Sequence, residues 1–334
     1  MRWKKIVVLI LVLIGLFAYQ GYNMEKENQV DISVMEYKGW EEAIEIDNHH
    51  LRMVIVPSIS RIMFFGFSGG DNLMWNNEKF LGKNIEYTEE MLKKSVWANY
   101  GGDKVWTVEQ KDFPKTIKRG WPPDETFDGG NFDYELLENG VKIISEVSPY
   151  SHTRLVREIT TEPNAKKFKI AQTVICEGEN SVVPVTIWNV SQVLPPEKFV
   201  VDYNKNSKFK GGIKYFLDEF EPTMELIDNK MIIDNVRDDT LKIGTDSKRF
   251  LSAVWKDKIF TQSFHYIDGE TYPDDGCPVE VFISTKFVEM ELLSHLKMLQ
   301  KGETLSFDIE WTLDNLPKFR SKEIVDIINK SIKE

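Results

Sequence analysis

The side chains best suited to chemistry on a ligand gather in Asn99-Tyr100-Gly101-Gly102-Asp103-Lys104-Val105-Trp106 and its continuation, Trp121-Pro122-Pro123-Asp124 and Phe127-Asp128-Gly129-Gly130. Indoles and phenyl rings stand beside amides, carboxylates and a lysine, on glycines and prolines that form loops. That mixture suits a sugar. The C–H faces of a pyranose stack on aromatic rings, while its hydroxyls need planar donors and acceptors at fixed positions. Gly101 and Gly102 would let backbone approach a ligand closely and bring Asn99, Tyr100, Asp103, Lys104 and Trp106 to one place, with Trp121 beside them. The same residues also fit a packed turn and a rigid loop. The stretch lacks the G-x-x-x-x-G-K-[ST] frame of a phosphate loop, and no cofactor is expected.

Three further segments carry candidate groups. Glu289 and Glu291 lie two apart in Phe287-Val288-Glu289-Met290-Glu291-Leu292, hence on one strand face. If that face is covered, two like charges raise one pKa, as a general acid or base requires; if it is open, they are a solvated strand edge. Glu280, between Val279 and Val281, repeats the pattern more weakly. In Trp188-Asn189-Val190-Ser191-Gln192, Trp188, Asn189 and Gln192 fit a concave binding face or, for Trp188, the core. Of five histidines, His265 alone sits in an aromatic run, Phe264-His265-Tyr266, as either a half-buried strand residue or a ligand contact. No credible Ser/His/Asp set supports serine hydrolysis. Asp103, Asp124 and Asp128 lack the D-x-D-x-D-G frame of a calcium loop, so no metal is expected.

The elements that must position these groups are mostly strands. Ala43–Asp47 and Leu51–Pro57 flank Asn48-His49-His50; Arg61–Phe67 precedes Gly69-Gly70-Asp71; Asp133–Leu137 and Val141–Val147 flank Glu138-Asn139-Gly140. Leu155–Thr160 pairs with Phe168–Cys176, Met224–Ile227 with Met231–Ile233, and Phe287–Leu293 with Thr304–Trp311 around Lys301-Gly302-Glu303. Helical patterns are confined to Glu89–Lys94 and an amphipathic Lys322–Lys333. So many antiparallel hairpins without crossover-length helices exclude a doubly wound α/β fold, and the absence of a 20–50-residue repeat excludes a propeller or solenoid. The expectation is an all-β chain of two large stacked antiparallel sheets.

At 334 residues with a formal charge of −11, the chain is long enough for a large core and repels phosphate backbones, so nucleic acid is not an expected partner. Arg2-Trp3-Lys4-Lys5 followed by an uncharged run from Ile6 to Tyr19 reads as an export signal or an uncleaved membrane anchor over residues 1–22, placing the body outside the cytoplasm. Residues 23–34 read as a polar linker, 35–317 as the β domain and 318–334 as a terminal amphipathic helix. The two cysteines, Cys176 and Cys277, are compatible with one disulfide or with two buried thiols. Oligomeric state is not legible here.

The ordered set Ser60-Arg61-Ile62-Met63, Asn72-Leu73-Met74-Trp75, Asn99 to Trp106, Trp121 to Asp124, Ile187 to Gln192, Lys242-Ile243-Gly244-Thr245-Asp246 and Val279 to Leu292 resembles an uncharacterised bacterial family of the galactose mutarotase-like (aldose 1-epimerase-like) superfamily. The resemblance implies a β-supersandwich with a carbohydrate-type cleft on its concave side. It implies a mono- or oligosaccharide ligand bound by Arg61, Asn99, Asp103, Trp106, Trp121, Trp188, Gln192 and His265. In mutarotases a Glu is the general base and a His the acid. The resemblance points to Glu291 as base, with Glu289 as the alternative. The family's histidines are replaced here by Tyr100 and by the His-free Thr186-Ile187-Trp188-Asn189, leaving Tyr100 or Lys104 as proton donor. Three functions follow: a carbohydrate-binding protein, a sugar-active enzyme (epimerase or glycan-cleaving), or a structural envelope protein whose aromatic loops only pack.

Overall fold

The computed structural model describes residues 29–217, 222–236 and 240–333; the expected leader and the first half of the expected linker lie outside the described residues. Among the described residues twenty strands follow one another. The first ten are β1 (Asp31–Tyr37), β2 (Trp40–Asp47), β3 (Leu51–Val56), β4 (Arg61–Phe67), β5 (Gly102–Trp106), β6 (Phe132–Leu137), β7 (Gly140–Ser145), β8 (Thr153–Thr161), β9 (Lys167–Cys176) and β10 (Trp188–Val193). The remainder are β11 (Lys198–Asp202), β12 (Lys214–Tyr215), β13 (Met224–Ile227), β14 (Lys230–Asp234), β15 (Leu241–Thr245), β16 (Phe250–Val254), β17 (Lys258–Phe264), β18 (Val279–Ile283), β19 (Val288–Leu293) and β20 (Thr304–Asn315). The short helices are α1 (Glu89–Lys93), α2 (Phe113–Thr116), α3 (Pro273–Gly276) and α4 (Ser321–Ser331).

The strands form two ten-stranded antiparallel sheets. Sheet I runs β1-β2-β3-β4-β5-β10-β19-β18-β15-β12, and sheet II runs β13-β14-β11-β16-β17-β20-β9-β8-β7-β6. Local turn chemistry sets several hairpins. Asn48 Oδ1 accepts from the backbone N–H of His50 and Leu51 at 3.0 and 2.7 Å, closing the β2–β3 turn. Asp228 and Asn229 both take positive φ, the conformation that a two-residue loop between twisted strands demands, and join β13 to β14.

One expected hairpin does not exist. β19 lies in sheet I, whereas β20 pairs with β9 and β17 in sheet II. Residues 294–303 cross between the sheets because both strands bury an apolar face in the same core, from opposite sides. The sheet also starts earlier than the expected linker boundary, since β1 begins at Asp31.

Inward residues of both sheets fill the space between them. Val288, Met290 and Leu292 come from sheet I; Phe168, Ile170, Val174, Ile309 and Trp311 come from sheet II. Phe65 of β4 reaches across to Phe260 and Trp311, with ring centroids 4.9 and 5.2 Å apart. Cys176 and Cys277 are both buried and unpaired. On the outer face of sheet II, α4 lays Ile324, Val325 and Ile328 over Val200, Ile232, Phe250, Val254 and Ile259. Those spacings make one apolar helical stripe. The terminal helix therefore closes part of sheet II, while the outer face of sheet I is left to loops.

Candidate functional site

Pairing register alone lays out the candidate site. Across five strands of sheet I, Gly102, Gln192, Glu289, Phe282 and Lys242 stand opposite one another, and one step along so do Lys104, Val190, Glu291, Glu280 and Gly244. Trp106 and Trp188 begin the next row. Side chains two apart share a face, so all of these point away from the core, whose positions on the same strands are Val105, Met290, Val281 and Ile243.

The polar groups of this face bond to one another. Lys104 Nζ lies 3.2 Å from Glu289 Oε1, and Gln192 Nε2 donates to the same oxygen at 2.8 Å. Trp188 Nε1 donates to Glu291 Oε2 at 2.8 Å. Lys242 Nζ stands 3.3 Å from that oxygen and 2.8 Å from Glu280 Oε2, bridging two carboxylates that face each other directly across the β18–β19 pair. Aromatic rings wall the cluster. Lys104 Nζ sits over Trp97 and Trp106 at 5.6 and 5.3 Å, and Lys242 Nζ over Trp188 and Phe216 at 4.9 and 5.2 Å. Trp106 meets Trp188 edge-on at 4.8 Å, and Trp121 meets Trp97 at 4.9 Å.

Electrostatics separates the three carboxylates. Burial, opposed by Lys242, pushes Glu291 up; burial pushes Glu280 well above the ordinary carboxylate range, with Lys242 opposing and Glu291 adding to the rise. Burial pulls Lys242 down, but Glu291 and Glu280 outweigh it and hold the ammonium firmly protonated. Glu289 is the accessible member, 12% exposed against 1% for Glu291, and Lys242 is the accessible cation at 19%. The arrangement can offer a ligand one carboxylate, one ammonium and partly exposed indoles at Trp97 and Trp121.

The inner face of the same strands carries a second polar cluster. Asp103, next to Lys104, points to the opposite side and pairs with Arg157 of β8. Asn189 Nδ2 and Ser191 Oγ donate to Asp103 Oδ2 at 2.6 and 2.7 Å, and Gln262 Nε2 of β17 donates to Ser191 Oγ at 2.7 Å. Arg157, Asp103, Asn189, Ser191 and Gln262 are all buried, tying the sheets together beneath the cleft. Asp103 is thus a structural anchor, and no ligand outside the sandwich reaches it.

Other expected contacts also fall elsewhere. Tyr100 precedes β5 and belongs to a separate apolar cluster with Trp40, Val54 and Met63; its hydroxyl accepts from Ile85 N–H at 2.9 Å. Burial raises its pKa, against the Ile85 bond and Arg61, and its ring packs in that cluster apart from Lys104 and Glu291. Arg61 is wholly buried against Asp128, which also takes the Trp97 indole N–H, so it buttresses the Trp97 wall from behind. Asn99 gives its carbonyl to Asn77 Nδ2 at 2.8 Å, and its own Oδ1 is buried without a partner. His265 is exposed in a groove of about 650 Å³ with Lys169, Lys248 and Glu310, residues of or beside sheet II, away from the cleft.

The two glycines serve packing. A Cβ on Gly101 would stand 2.2 Å from the Trp75 carbonyl oxygen, and one on Gly102 would stand 2.5 Å from that of Ile62; both have positive φ. They let the Trp75 segment run against β5, where Gly102 N–H donates to Trp75 O at 2.8 Å. The aspartates do not share a site either. Asp103 lies between the sheets, Asp128 is spent on Arg61, and Asp124 accepts from Thr126 N–H at 2.9 Å and from Ser148 Oγ at 2.5 Å. Burial pushes Asp124 up to about 6.

Of the expected residues, Lys104, Trp106, Trp188, Gln192 and Glu291 come together, with Trp121 at the wall. Sequence reasoning passed over Trp97 and Lys242 as site residues and underrated Glu280 and Glu289. A signal existed for Lys242: it is the charged residue of an alternating Leu241-Lys242-Ile243, the pattern that singled out Glu289 and Glu291.

Solved structures share this architecture. An aldose 1-epimerase-like protein of Klebsiella pneumoniae superposes with a TM-score of 0.58 at 11% identity, over 91% of this chain and 88% of its own. A second aldose 1-epimerase-like protein, from Escherichia coli K12, gives 0.51 at 11% identity over 86% and 100%. A mutarotase-like protein of Salmonella typhimurium gives 0.51 at 9% over 86% and 94%. The fold is the galactose mutarotase-like two-sheet sandwich anticipated from the ordered segments. No protein-family model and no curated protein matches the chain.

Proposed function

We propose that this chain is an extracytoplasmic carbohydrate-binding protein that takes a mono- or oligosaccharide on the outer face of sheet I. One observation carries the reading: register converges Lys104, Gln192, Glu289, Glu291 and Lys242 from four strands onto one face, beneath Trp97, Trp106, Trp121 and Trp188. Fixed donors and acceptors supply directional bonds to hydroxyls, and indoles supply the stacking that a pyranose ring favours. The mutarotase-like fold of the structural neighbours supports the same ligand class. The basic Arg2-Trp3-Lys4-Lys5 and the uncharged run after it support export.

Because Trp97 and Trp121 line the cleft, ligand binding should quench or shift intrinsic fluorescence. A panel of mono- and oligosaccharides is expected to give saturable changes that weaken strongly in Glu289→Gln. A flat response across the panel at millimolar levels, together with unperturbed indole NMR resonances, would refute the reading and favour a structural role for the aromatic loops.

A second reading, a sugar-active enzyme, draws on the Lys104 ammonium 3.2 Å from the Glu289 carboxylate, beside the raised Glu291. A proton donor and an acceptor on one face are what anomer interconversion needs. Polarimetry of fresh α-anomers decides it: the rate should collapse in Glu291→Gln or Glu289→Gln. Rates that match the buffer blank in the unmodified protein would leave binding as the whole function.

A further inference from the structure

We propose that the cleft on sheet I selects a sugar bearing a free ammonium group, a 2-amino-2-deoxy pyranose or a glycan unit of that kind, over neutral and anionic sugars. The inference rests on the carbohydrate reading above and narrows its substrate class.

The first ground is the balance of charge on the face. Three carboxylates, Glu280, Glu289 and Glu291, stand against two ammoniums, Lys104 and Lys242, so the cluster has one acid more than it has bases. The surrounding ion pairs do not correct this. Arg61–Asp128, Arg119–Glu125, Lys111–Glu109 and Lys214–Asp275 are each internally balanced. Full ionisation of this set would leave one negative charge uncompensated in a poorly hydrated face, which favours a cation there and disfavours a carboxylate or phosphate. Burial raising Glu280 and Glu291 fits the same imbalance: the face resists carrying all three charges until a further positive charge arrives.

The second ground is independent of charge and concerns unused acceptors. The hydrogen bonds to Glu289 from Lys104 and Gln192 both end on Oε1, so its Oε2 remains for a ligand on the most accessible acid of the face. Gln192 is itself fully buried and its Oε1 has no partner, although Nε2 of the same amide is bonded to Glu289 and so fixes that amide within the cluster. A buried unpaired amide oxygen is costly unless a donor meets it. Lys104 and Gln192 on Glu289, Lys242 and Trp188 on Glu291, and Lys242 on Glu280 already serve the occupied oxygens, so what the face lacks is a donor. An ammonium brings three. The indoles reinforce the choice, because Lys104 and Lys242 already lie over their faces at 4.9 to 5.6 Å, the geometry in which aromatic walls stabilise cations.

The test is a calorimetric or fluorescence titration of the full chain with glucosamine, N-acetylglucosamine, glucose and glucuronate at one pH, with a β-linked glucosamine oligomer as a further arm. Glucosamine is expected to bind about tenfold or more tightly than its N-acetylated form, a difference of about 1.4 kcal/mol, and glucuronate is expected to bind weakest. In Glu289→Gln the ratio of glucosamine to glucose affinity should fall toward one. Tighter binding of the oligomer than of the monomer would assign the amine to a deacetylated glycan, and equal binding to the free sugar. Equal or better binding of glucose, N-acetylglucosamine or glucuronate would overturn the amine preference while leaving the carbohydrate reading standing. Failure of every sugar to bind would overturn both.

Discussion

The two faces of β5 and β10 are built from alternating residues of the same ten-odd positions, yet they solve opposite problems. Inward, Asp103, Asn189 and Ser191 meet Arg157 and Gln262 in a dry layer where one acid faces one base. Outward, Lys104, Trp188 and Gln192 meet three acids and Lys242 in a layer with one acid more than it has bases; buried amide oxygens without a partner occur in both layers, Gln192 Oε1 outward and Gln262 Oε1 inward. The closed layer holds the sheets in place. The outer one keeps partial exposure at Glu289 and Lys242. What separates them is the cover: sheet II lies over the inner face, whereas loops such as that of Trp121 lie over the outer one, burying Lys104, Gln192, Glu280 and Glu291 and leaving Glu289 and Lys242 partly exposed.

That contrast breaks most visibly at Arg157. Arg157→Met strands Asp103 without its counter-charge between the sheets and should cost about 3–5 kcal/mol in urea unfolding, with most of the loss recovered by adding Asp103→Leu. Equal losses in the single and double variants would show that the pair is not what holds the layer.

On the outer face Lys242→Met should cost about 2 kcal/mol at neutral pH, less because Lys242 keeps partial contact with solvent. Its pH dependence identifies the cause. Glu280 and Glu291 have folded pKa values raised above their unfolded ones, so the stability linked to their protonated forms is full below about pH 4 and is lost as pH rises through the folded values. Removing Lys242 raises them further. The deficit should therefore be small near pH 4 and grow toward neutrality, and a pH-independent deficit would trace to lost packing on Trp188 and Phe216 instead.

The smallest effect sharpens the inner layer. Gln172, paired across the strands with Arg157, is buried with neither amide atom bonded to protein. Gln172→Leu should leave stability unchanged or raise it by up to about 1 kcal/mol, since an unsatisfied amide gives way to an apolar group. A loss beyond about 1 kcal/mol would mean that the amide is a working part of the layer.

Much of the architecture was legible. The positions of β2–β4, β6–β9, β13, β14, β19 and β20 and of the terminal helix follow from alternation, turn residues and a helical stripe, all of which act within a few residues, whereas β5 reads as a turn and β11, β12 and β15–β18 are not marked. The ordered aromatic, amide and acidic segments also indicated the mutarotase-like sandwich. The site was only partly legible. Asp103 and Lys104 read as neighbours in one cleft, but adjacent strand residues face opposite ways. Tyr100 read as a partner of Lys104, but it precedes the strand and turns into the cluster of Trp40 and Met63. Lys242 read as unremarkable because its partners Glu280 and Glu291 lie 38 and 49 positions away, on strands whose order in the sheet departs from their order in the chain.

By itself the sequence determined which residues alternate, where the chain turns, and that indoles and carboxylates would be abundant on the strands. These are properties of short stretches, set by backbone geometry and side-chain sterics. Only the tertiary structure decided which face of each strand would be sealed and which left open. That choice depends on what packs above it: the second sheet excludes water from Asp103 and Arg157, while the loops of Trp97 and Trp121 leave Glu289 and Lys242 partly exposed.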